Sequence, residues 1–254
     1  MKTMVIQRIL VKLIIVLFCW HGPLVAQEFV YTRNFIVAKK IAIIIFTEID
    51  QQRTFYCGCG FNNNLIVSVN ECGYKRQKNA EKPLKIQLEH IIPAHHLSLA
   101  ITSECWRKPL CKRKDGSRYK GRACCLKIDP AFAKMHNDLH GLVPEIDELN
   151  RIRSDYSYDH VTSNDFNFGL CDFKVDKKHK KVEPQNTVKG VIARVYLYFQ
   201  RKYHLPLSKT QITMFKKWHK LYPPEAWEIT WDSRIAEIQG DHNPFISQSY
   251  SQNL

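Results

Sequence analysis

Eight cysteines in the body of the chain constrain its fold more than any other feature, because an exported chain would pair them. The chain has nine cysteines in all, and the ninth, Cys19, lies in an N-terminal segment of secretory type. In an oxidising compartment the eight predict up to about four disulfides. Zinc binding is the alternative, but Cys-x-Cys and Cys-Cys spacings fit zinc sites poorly. The sequence selects no pairing among Cys57, Cys59, Cys72, Cys105, Cys111, Cys124, Cys125 and Cys171.

The N-terminal segment has the three parts of a signal peptide. Lys2, Arg8 and Lys12 form a basic region, residues 13–20 are an apolar run, and Ala26 is a small residue at a cleavage position. The run is shorter than the roughly 20 residues that a membrane span needs. We therefore expect a signal peptide at 1–26 and one domain without a membrane span at 27–254, in a periplasmic or secreted protein. An uncleaved N-terminal anchor is the alternative.

The charge of the chain favours a polyanionic partner. The formal net charge is +14, of which three positive charges lie in the signal segment. Such a surface attracts nucleic acid, anionic lipid or heparin-like polymers, although a basic protein can also be merely soluble. A basic loop at 112–122 supplies the candidates for phosphate contacts, which are Lys112, Arg113, Lys114, Arg118 and Lys120.

Periodicity and breaking residues divide the domain into helices and strands. Asn34 is expected to cap a helix that runs to about residue 49, and residues 84–92 alternate like a strand that ends at Pro93. Pro144 is expected in the first turn of a helix that has acidic residues at its start and arginines at its end. Further expectations are a hairpin at 173–183 and helices at 188–203, 208–222 and 231–239.

The Glu89-His90 pair at the end of the predicted strand carries the strongest chemical signal. Hydrolysis of a phosphodiester needs a general base, a hard cation and a group that holds the phosphate. Histidine is the natural base near neutral pH, and carboxylate and amide oxygens are ligands for a hard cation. His90 is therefore the candidate base, and Glu89 and Asn150 are the candidate metal ligands. Arg122 is the candidate that binds the phosphate through two hydrogen bonds from its guanidinium.

Each candidate also has a purely structural interpretation. The carboxylate can be an exposed strand residue, the histidine a satisfied core residue, the amide a backbone partner, and the arginine a cover for a disulfide. Geometry raises an objection as well, because neighbours on a regular strand point to opposite faces. Glu89 and His90 can share a site only if the strand twists or ends there, which Pro93 allows.

An ordered set of motifs resembles the endonuclease I family of periplasmic and secreted bacterial nucleases. The resemblance runs in register from about residue 34 to 246, and the complete set is far more specific than any single piece. The segments that carry it include Thr54-Phe55-Tyr56-Cys57-Gly58-Cys59, Glu89-His90-Ile91-Ile92-Pro93-Ala94, Gly121-Arg122, Asp138-Leu139-His140, Leu142-Val143-Pro144, Asn150, Ile192-Ala193-Arg194 and His242-Asn243-Pro244-Phe245.

The resemblance implies a mixed α/β, α+β-class domain with a ββα-metal (His-Me finger) core and paired cysteines. It implies non-specific cleavage of DNA, and of RNA too, that leaves 5′-phosphate ends. His90 is similar to the family's general base, and Glu89 and Asn150 to the ligands of one Mg2+, or Mn2+ or Ca2+. Arg122 is similar to the arginine that holds the scissile phosphate. We expect a monomer.

Two positions depart from the family pattern. An acidic residue is usual where this chain has His136, and asparagine is usual where it has Gly141. The base and both ligands are retained, so we expect activity. The alternatives are a nucleic-acid-binding protein with weakened catalysis, and a disulfide-rich module that binds polysaccharide and needs no metal.

Overall fold

The computed structural model of the 254-residue chain describes residues 34–77 and 82–247, so the predicted signal peptide at 1–26 lies outside them. Helices and short strands are mixed along the described chain. The helices are α1 Phe35–Glu48, α2 Val69–Cys72, α3 Ala94–Leu97, α4 Arg122–Ile128, α5 Pro130–His136, α6 Asp147–Arg153, α7 Asn186–Tyr203, α8 Lys209–Leu221, α9 Ala226–Gln239 and α10 Pro244–Ser247. The strands are β1 Ile86–His90, β2 Cys111–Lys112, β3 Arg118–Tyr119, β4 Leu142–Ile146, β5 Ser157–Tyr158, β6 Lys174–Asp176 and β7 Lys181–Glu183. Short 3₁₀ turns cover Ser98–Ala100, Glu104–Trp106 and Leu139–Gly141.

A two-stranded antiparallel ladder of β1 and β4 lies at the centre of the fold. The strands pair from Ile86 opposite Ile146 to His90 opposite Leu142, and β4 leads directly into α6. Every residue of β4 is buried, and the predicted strand at 84–92 is confirmed by β1. The ladder therefore brings the chain around Glu89 beside a helix that begins more than fifty residues later.

The prediction that Pro144 lies in the first turn of a helix is wrong, because Pro144 belongs to β4 and α6 begins at Asp147. The carbonyl of Pro144 accepts the Phe55 N–H at 2.8 Å and so points away from β1. The nitrogen of a strand residue points to the same side as its carbonyl, so this proline removes no bond from the ladder. The predicted charges are correct for the shorter helix, with acid in its first turn and arginines in its last.

Four disulfides confirm the prediction made from the cysteine count. They join Cys57 to Cys171, Cys59 to Cys72, Cys105 to Cys125, and Cys111 to Cys124. All eight cysteines are paired, so the zinc alternative fails for them. The last two bridges fasten α4 to the segment before it. The predicted basic loop is a small hairpin of β2 and β3, and Gly121, at φ +84°, turns the chain into α4.

The remaining helices follow the predicted pattern closely. Asn34 caps α1 by accepting the N–H groups of Ile36 and Val37, and Ser208 caps α8 in a capping box with Gln211. The predicted hairpin is formed by β6 and β7, and α7 packs against α8. The helix expected at 231–239 begins earlier, at Ala226. No helix in the described chain is long and apolar enough to cross a membrane.

Candidate active site

An open cleft of about 1290 Å³ lies between α1, the end of β1 and the helix α6. All four residues predicted to carry the chemistry line this cleft, namely Glu89, His90, Arg122 and Asn150. They come from β1, α4 and α6, so the fold gathers positions spread over more than sixty residues. The convergence that the sequence left open is therefore present.

The ring of His90 is held in one tautomer by a backbone carbonyl. Its Nε2 lies 2.9 Å from the carbonyl oxygen of His136. A carbonyl only accepts, so Nε2 must carry the hydrogen and Nδ1 must present its lone pair when the ring is neutral. Burial lowers the pKa of His90 well below its ordinary value, and the neighbouring His136 ring lowers it further. The neutral, proton-accepting form is thus the stable one near neutral pH.

The carboxylate of Glu89 is buried and held by hydrogen bonds and an ion pair. Oε1 accepts the Tyr56 hydroxyl at 2.9 Å and lies 3.0 Å from Nη1 of Arg153. Burial raises the pKa of Glu89 above its ordinary value, while Arg153 and Tyr56 oppose that rise. Both side-chain contacts use Oε1, and the carboxylate also accepts the backbone N–H of His90.

Arg153 fixes the backbone next to Glu89 and His90, which both line the cleft. Its Nη1 donates to the His90 carbonyl at 3.0 Å and its Nη2 to the Ile91 carbonyl at 2.6 Å. These bonds hold the backbone where β1 ends at His90, and the same guanidinium contacts the Glu89 carboxylate. Arg153 was not predicted from the sequence to belong to the site. Its spacing of three residues from Asn150 on a helix was the signal that could have found it.

Asn150 is oriented by the strand that it faces. Its Nδ2 donates to the Leu88 carbonyl at 3.3 Å, which leaves Oδ1 as a free acceptor on a half-buried side chain. Helix α6 contacts β1, and this places Asn150 beside the strand that carries Glu89. A carboxylate oxygen and an amide oxygen are suitable ligands for a hard cation.

Arg122 is an exposed residue at the first position of α4. Two cysteines of the same helix, Cys124 and Cys125, are disulfide-bonded, so the backbone that carries the guanidinium is fixed while the side chain reaches into the cleft. Its charge also helps to lower the pKa of His90 and His136. It is therefore close enough to act on the same anion as the base.

The two departures from the family pattern have clear structural surroundings. His136 is fully buried, and its ring lies 4.2 Å from that of His90. Burial lowers its pKa to about 4, so it is a neutral ring where an acid was expected. A Cβ at Gly141 would lie 3.1 Å from the Phe199 ring, so glycine at this position makes room for that aromatic side chain.

The predicted phosphate contacts lie apart from the four cleft residues. Lys112, Arg113, Lys114, Arg118 and Lys120 are all exposed on or next to the β2–β3 hairpin, and none is among the described residues that line the cleft. Four cations that were not predicted from the sequence line it among the described residues, namely Lys39 and Lys40 on α1 and Arg151 and Arg153 on α6. Positive charge therefore surrounds the cleft from two helices as well as from Arg122.

Within residues 34–77 and 82–247, no group of three or more His, Cys, Asp or Glu side chains is placed to hold a metal ion. The oxygen pair of Glu89 and Asn150 has only one member of these residue types, so it falls outside such groups. A hydrogen-bonded base, oxygen donors and an arginine in a basic cleft are the parts that a phosphodiester hydrolase uses. The class that the fold and the cleft define is therefore a nuclease.

Comparisons with known proteins agree with this class and identify the family. The model of the Endonuclease I family matches residues 34–250. Endonuclease-1 of Buchnera aphidicola subsp. Baizongia pistaciae is 37% identical over 228 residues, which cover 88% of this chain and 86% of that protein. The chain belongs to the endonuclease I family, as the sequence motifs predicted.

Two relatives from Aeromonas hydrophila bear on location. Its periplasmic deoxyribonuclease is 32% identical over 230 residues, 89% of each chain, and an extracellular deoxyribonuclease is 33% identical over 203 residues, 78% of this chain and 83% of the relative. These names confirm the predicted periplasmic or secreted location. Members of the family generally use a divalent metal ion. The metal's identity, the residue roles, cleavage of RNA, the 5′-phosphate ends and the monomeric state remain predictions.

Proposed function

We propose that this chain is a non-specific endonuclease that hydrolyses DNA, and also RNA, with His90 as general base. The observation that carries the proposal is the bond from His90 Nε2 to the His136 carbonyl, which leaves Nδ1 as a proton acceptor. We assign β1, β4 and α6 as the ββα-metal core, because two antiparallel strands and the following helix supply His90, Glu89 and Asn150.

The chemistry of the donor set fits one hard divalent cation. The Glu89 carboxylate and the Asn150 amide supply oxygen ligands, and oxygen-only protein ligation favours Mg2+, Mn2+ or Ca2+ over zinc. Two protein ligands suit Mg2+ best, because this ion keeps several waters and binds substrate phosphate. When bound, the ion would neutralise charge on the phosphate and stabilise the leaving oxygen.

The residues of the chain supply the other parts of the reaction. Nδ1 of His90 takes a proton from a water molecule that attacks phosphorus in line with the leaving 3′ oxygen. Arg122 donates to the scissile phosphate and holds it in place. Arg153 does not reach for substrate in this scheme. It fixes the backbone of His90 and the carboxylate of Glu89, so that base and ligand keep their relative positions.

Contacts to the phosphate backbone account for the lack of sequence preference. The exposed cations of the β2–β3 hairpin and the lysines of α1 can bind phosphates, and phosphate contacts carry no base information. In-line attack with a 3′ leaving oxygen gives 5′-phosphate and 3′-hydroxyl ends. The chain is expected to act as a monomer.

Digestion of supercoiled plasmid and of single-stranded RNA by the oxidised protein tests this function. Both substrates should be cut in Mg2+, EDTA should stop the reaction, and added Mg2+ should restore it. Cleavage that EDTA does not affect would overturn the metal part of the proposal. Tight binding without cleavage in any divalent ion would favour the alternative of a binding protein with weakened catalysis. The absence of both cleavage and nucleic-acid binding would favour a polysaccharide-binding module.

A further inference from the structure

A stacked pair of aromatic rings forms one edge of the same cleft, outside the groups described so far. The rings of His95 and Trp106 lie 5.6 Å apart between centroids and only 21° from parallel. Both residues line the cleft together with Arg122. We call this pair the aromatic shelf. The hydrolytic chemistry proposed above gives it no task.

The shelf is anchored rigidly from behind. Trp106 rests against Phe132 with 6.0 Å between ring centroids, and it follows Cys105, which is disulfide-bonded to Cys125 of α4. The Cys105 carbonyl also accepts the Gly121 N–H at 2.9 Å, one residue before Arg122. The shelf and the predicted phosphate-binding arginine are therefore held in register by one covalent bridge and one backbone bond.

The front of the shelf is accessible. The side chain of His95 is 47% exposed, and its Nδ1 lies 3.4 Å from Asp155, which also lines the cleft. Trp106 is partly exposed, and its indole N–H has no hydrogen-bond partner among the described residues. An exposed flat aromatic surface in a cleft lined by cations is suited to a ligand that is both anionic and aromatic.

We propose that the aromatic shelf stacks an unpaired nucleobase of the nucleotide next to the scissile phosphate. This inference rests on the proposed function, and it adds a preference for single-stranded or locally opened substrate. Every base has a π face, so stacking gives affinity without sequence selection. In a closed duplex the base would first have to leave its own stack, and the shelf would then contribute less.

The test separates the contribution of bases to binding from the contribution of phosphates. Binding is measured at fixed low salt and in EDTA on the His90→Ala protein, whose cleavage should be strongly reduced, with two ligands of equal length and charge. One ligand is a short oligothymidylate, and the other is the same backbone with abasic sugars. Trp106→Ala should weaken binding of oligothymidylate about tenfold, within the range for a lost base–aromatic stack, and should leave binding of the abasic strand unchanged.

Two further variants guard against a folding artefact, and one serves as the matched control. Trp106→Phe should restore part of the lost affinity, because a ring remains, and His95→Ala should weaken oligothymidylate binding while disturbing the core less. Trp227→Ala is the control, since Trp227 is a partly exposed tryptophan that does not line the cleft. It should change neither ligand's affinity.

Equal loss of affinity for both ligands, or no loss for either, would overturn the proposal that the aromatic shelf stacks a nucleobase. Plasmid cleavage by the native chain in Mg2+ is measured beside these experiments. If the native chain cleaves while Trp106→Ala changes the affinity for both ligands equally or for neither, only the stacking proposal is wrong. If the native chain neither cleaves nor binds either strand, the proposed function itself is wrong.

Discussion

His140 and His90 are two buried histidines near the same strand pair, and their surroundings differ in a way that separates structure from chemistry. His140 is completely buried, with Nε2 2.9 Å from Asp232 and Nδ1 3.4 Å from Asp138. Burial alone would lower its pKa, but the hydrogen bonds with these two carboxylates raise it. Both ring nitrogens face acid, so His140 has no nitrogen left for a substrate.

His90 has the opposite arrangement. Its Nε2 faces a neutral carbonyl, and no carboxylate is a main cause of its pKa shift, which is downward. It lines an open cleft, whereas His140 does not. In the proposed role, His90 is held at one nitrogen and uses the other to take a proton. A histidine that joins two carboxylates strengthens the core instead.

Replacing each histidine should give the largest and clearest contrast. His90→Ala should reduce cleavage by about 10²–10⁴-fold, the range for a lost general base, with little change in Tm. His140→Gln should lower Tm while the molecules that remain folded still cleave. Plasmid-nicking rates corrected for the folded fraction, together with thermal melts, measure both effects. Near-native cleavage by His90→Ala would remove it from the role of base.

The two oxygen ligands should differ from each other in a Mg2+ titration. Glu89→Ala removes a charged ligand and Asn150→Ala a neutral one, so the first should raise the Mg2+ concentration needed for half-maximal cleavage further than the second. Asp155→Ala, which changes an acid at the rim of the same cleft, is the matched control and should leave that concentration nearly unchanged. If neither ligand variant shifts the Mg2+ dependence, the metal site lies elsewhere.

Much of the local structure could be read from the sequence because it depends on local chemistry. Caps at Asn34 and Ser208, alternation in β1 and the hairpin of β6 and β7 all reflect interactions within a few residues. The cysteine count predicted disulfides, but roughly a hundred pairings are possible for eight cysteines. The pair Cys57–Cys171, 114 residues apart, depends on the complete fold.

The parts of the site that the sequence did not reveal depend on contacts between distant segments. Arg153 was expected only to favour the end of a helix, yet it binds the backbone of β1. Lys39 and Lys40 form part of the cleft because α1 lies along it, which no local pattern shows. Pro144 was expected in a helix because proline is favoured in the first turn of helices. A proline is tolerated in β4 because its carbonyl binds Phe55 instead of β1, and the sequence does not show that contact.

The cluster around His140 should respond to pH in a defined direction. The pKa of His140 is raised in the folded state. The charged ring therefore contributes fully to folding stability below about pH 6.5, and this contribution is lost as pH rises through the raised pKa. Asp232→Asn removes one of the two carboxylates, and breaking a buried ion pair typically costs about 3–5 kcal/mol. Urea unfolding at about pH 6 and about pH 9 measures the free energy of unfolding at both pH values. The decrease in this free energy from about pH 6 to about pH 9 should be smaller for the variant than for the native chain. An identical pH dependence would mean that His140 is neutral.

The smallest expected effect concerns the charges outside the cleft, and it extends the comparison from two histidines to two basic hairpins. Lys112, Arg113 and Lys114 lie at the β2–β3 hairpin, while Lys177, Lys178 and Lys180 lie at the turn of β6 and β7. Alanine at the first three positions should reduce the slope of log affinity against log salt by about 0.9 for each lost phosphate contact. Binding of random DNA to the His90→Ala protein measures that slope without cleavage. Alanine at the second three positions removes the same charge and is the control. If both triple variants lower the slope equally, the effect comes from net charge, and the β2–β3 hairpin does not contact the phosphate backbone.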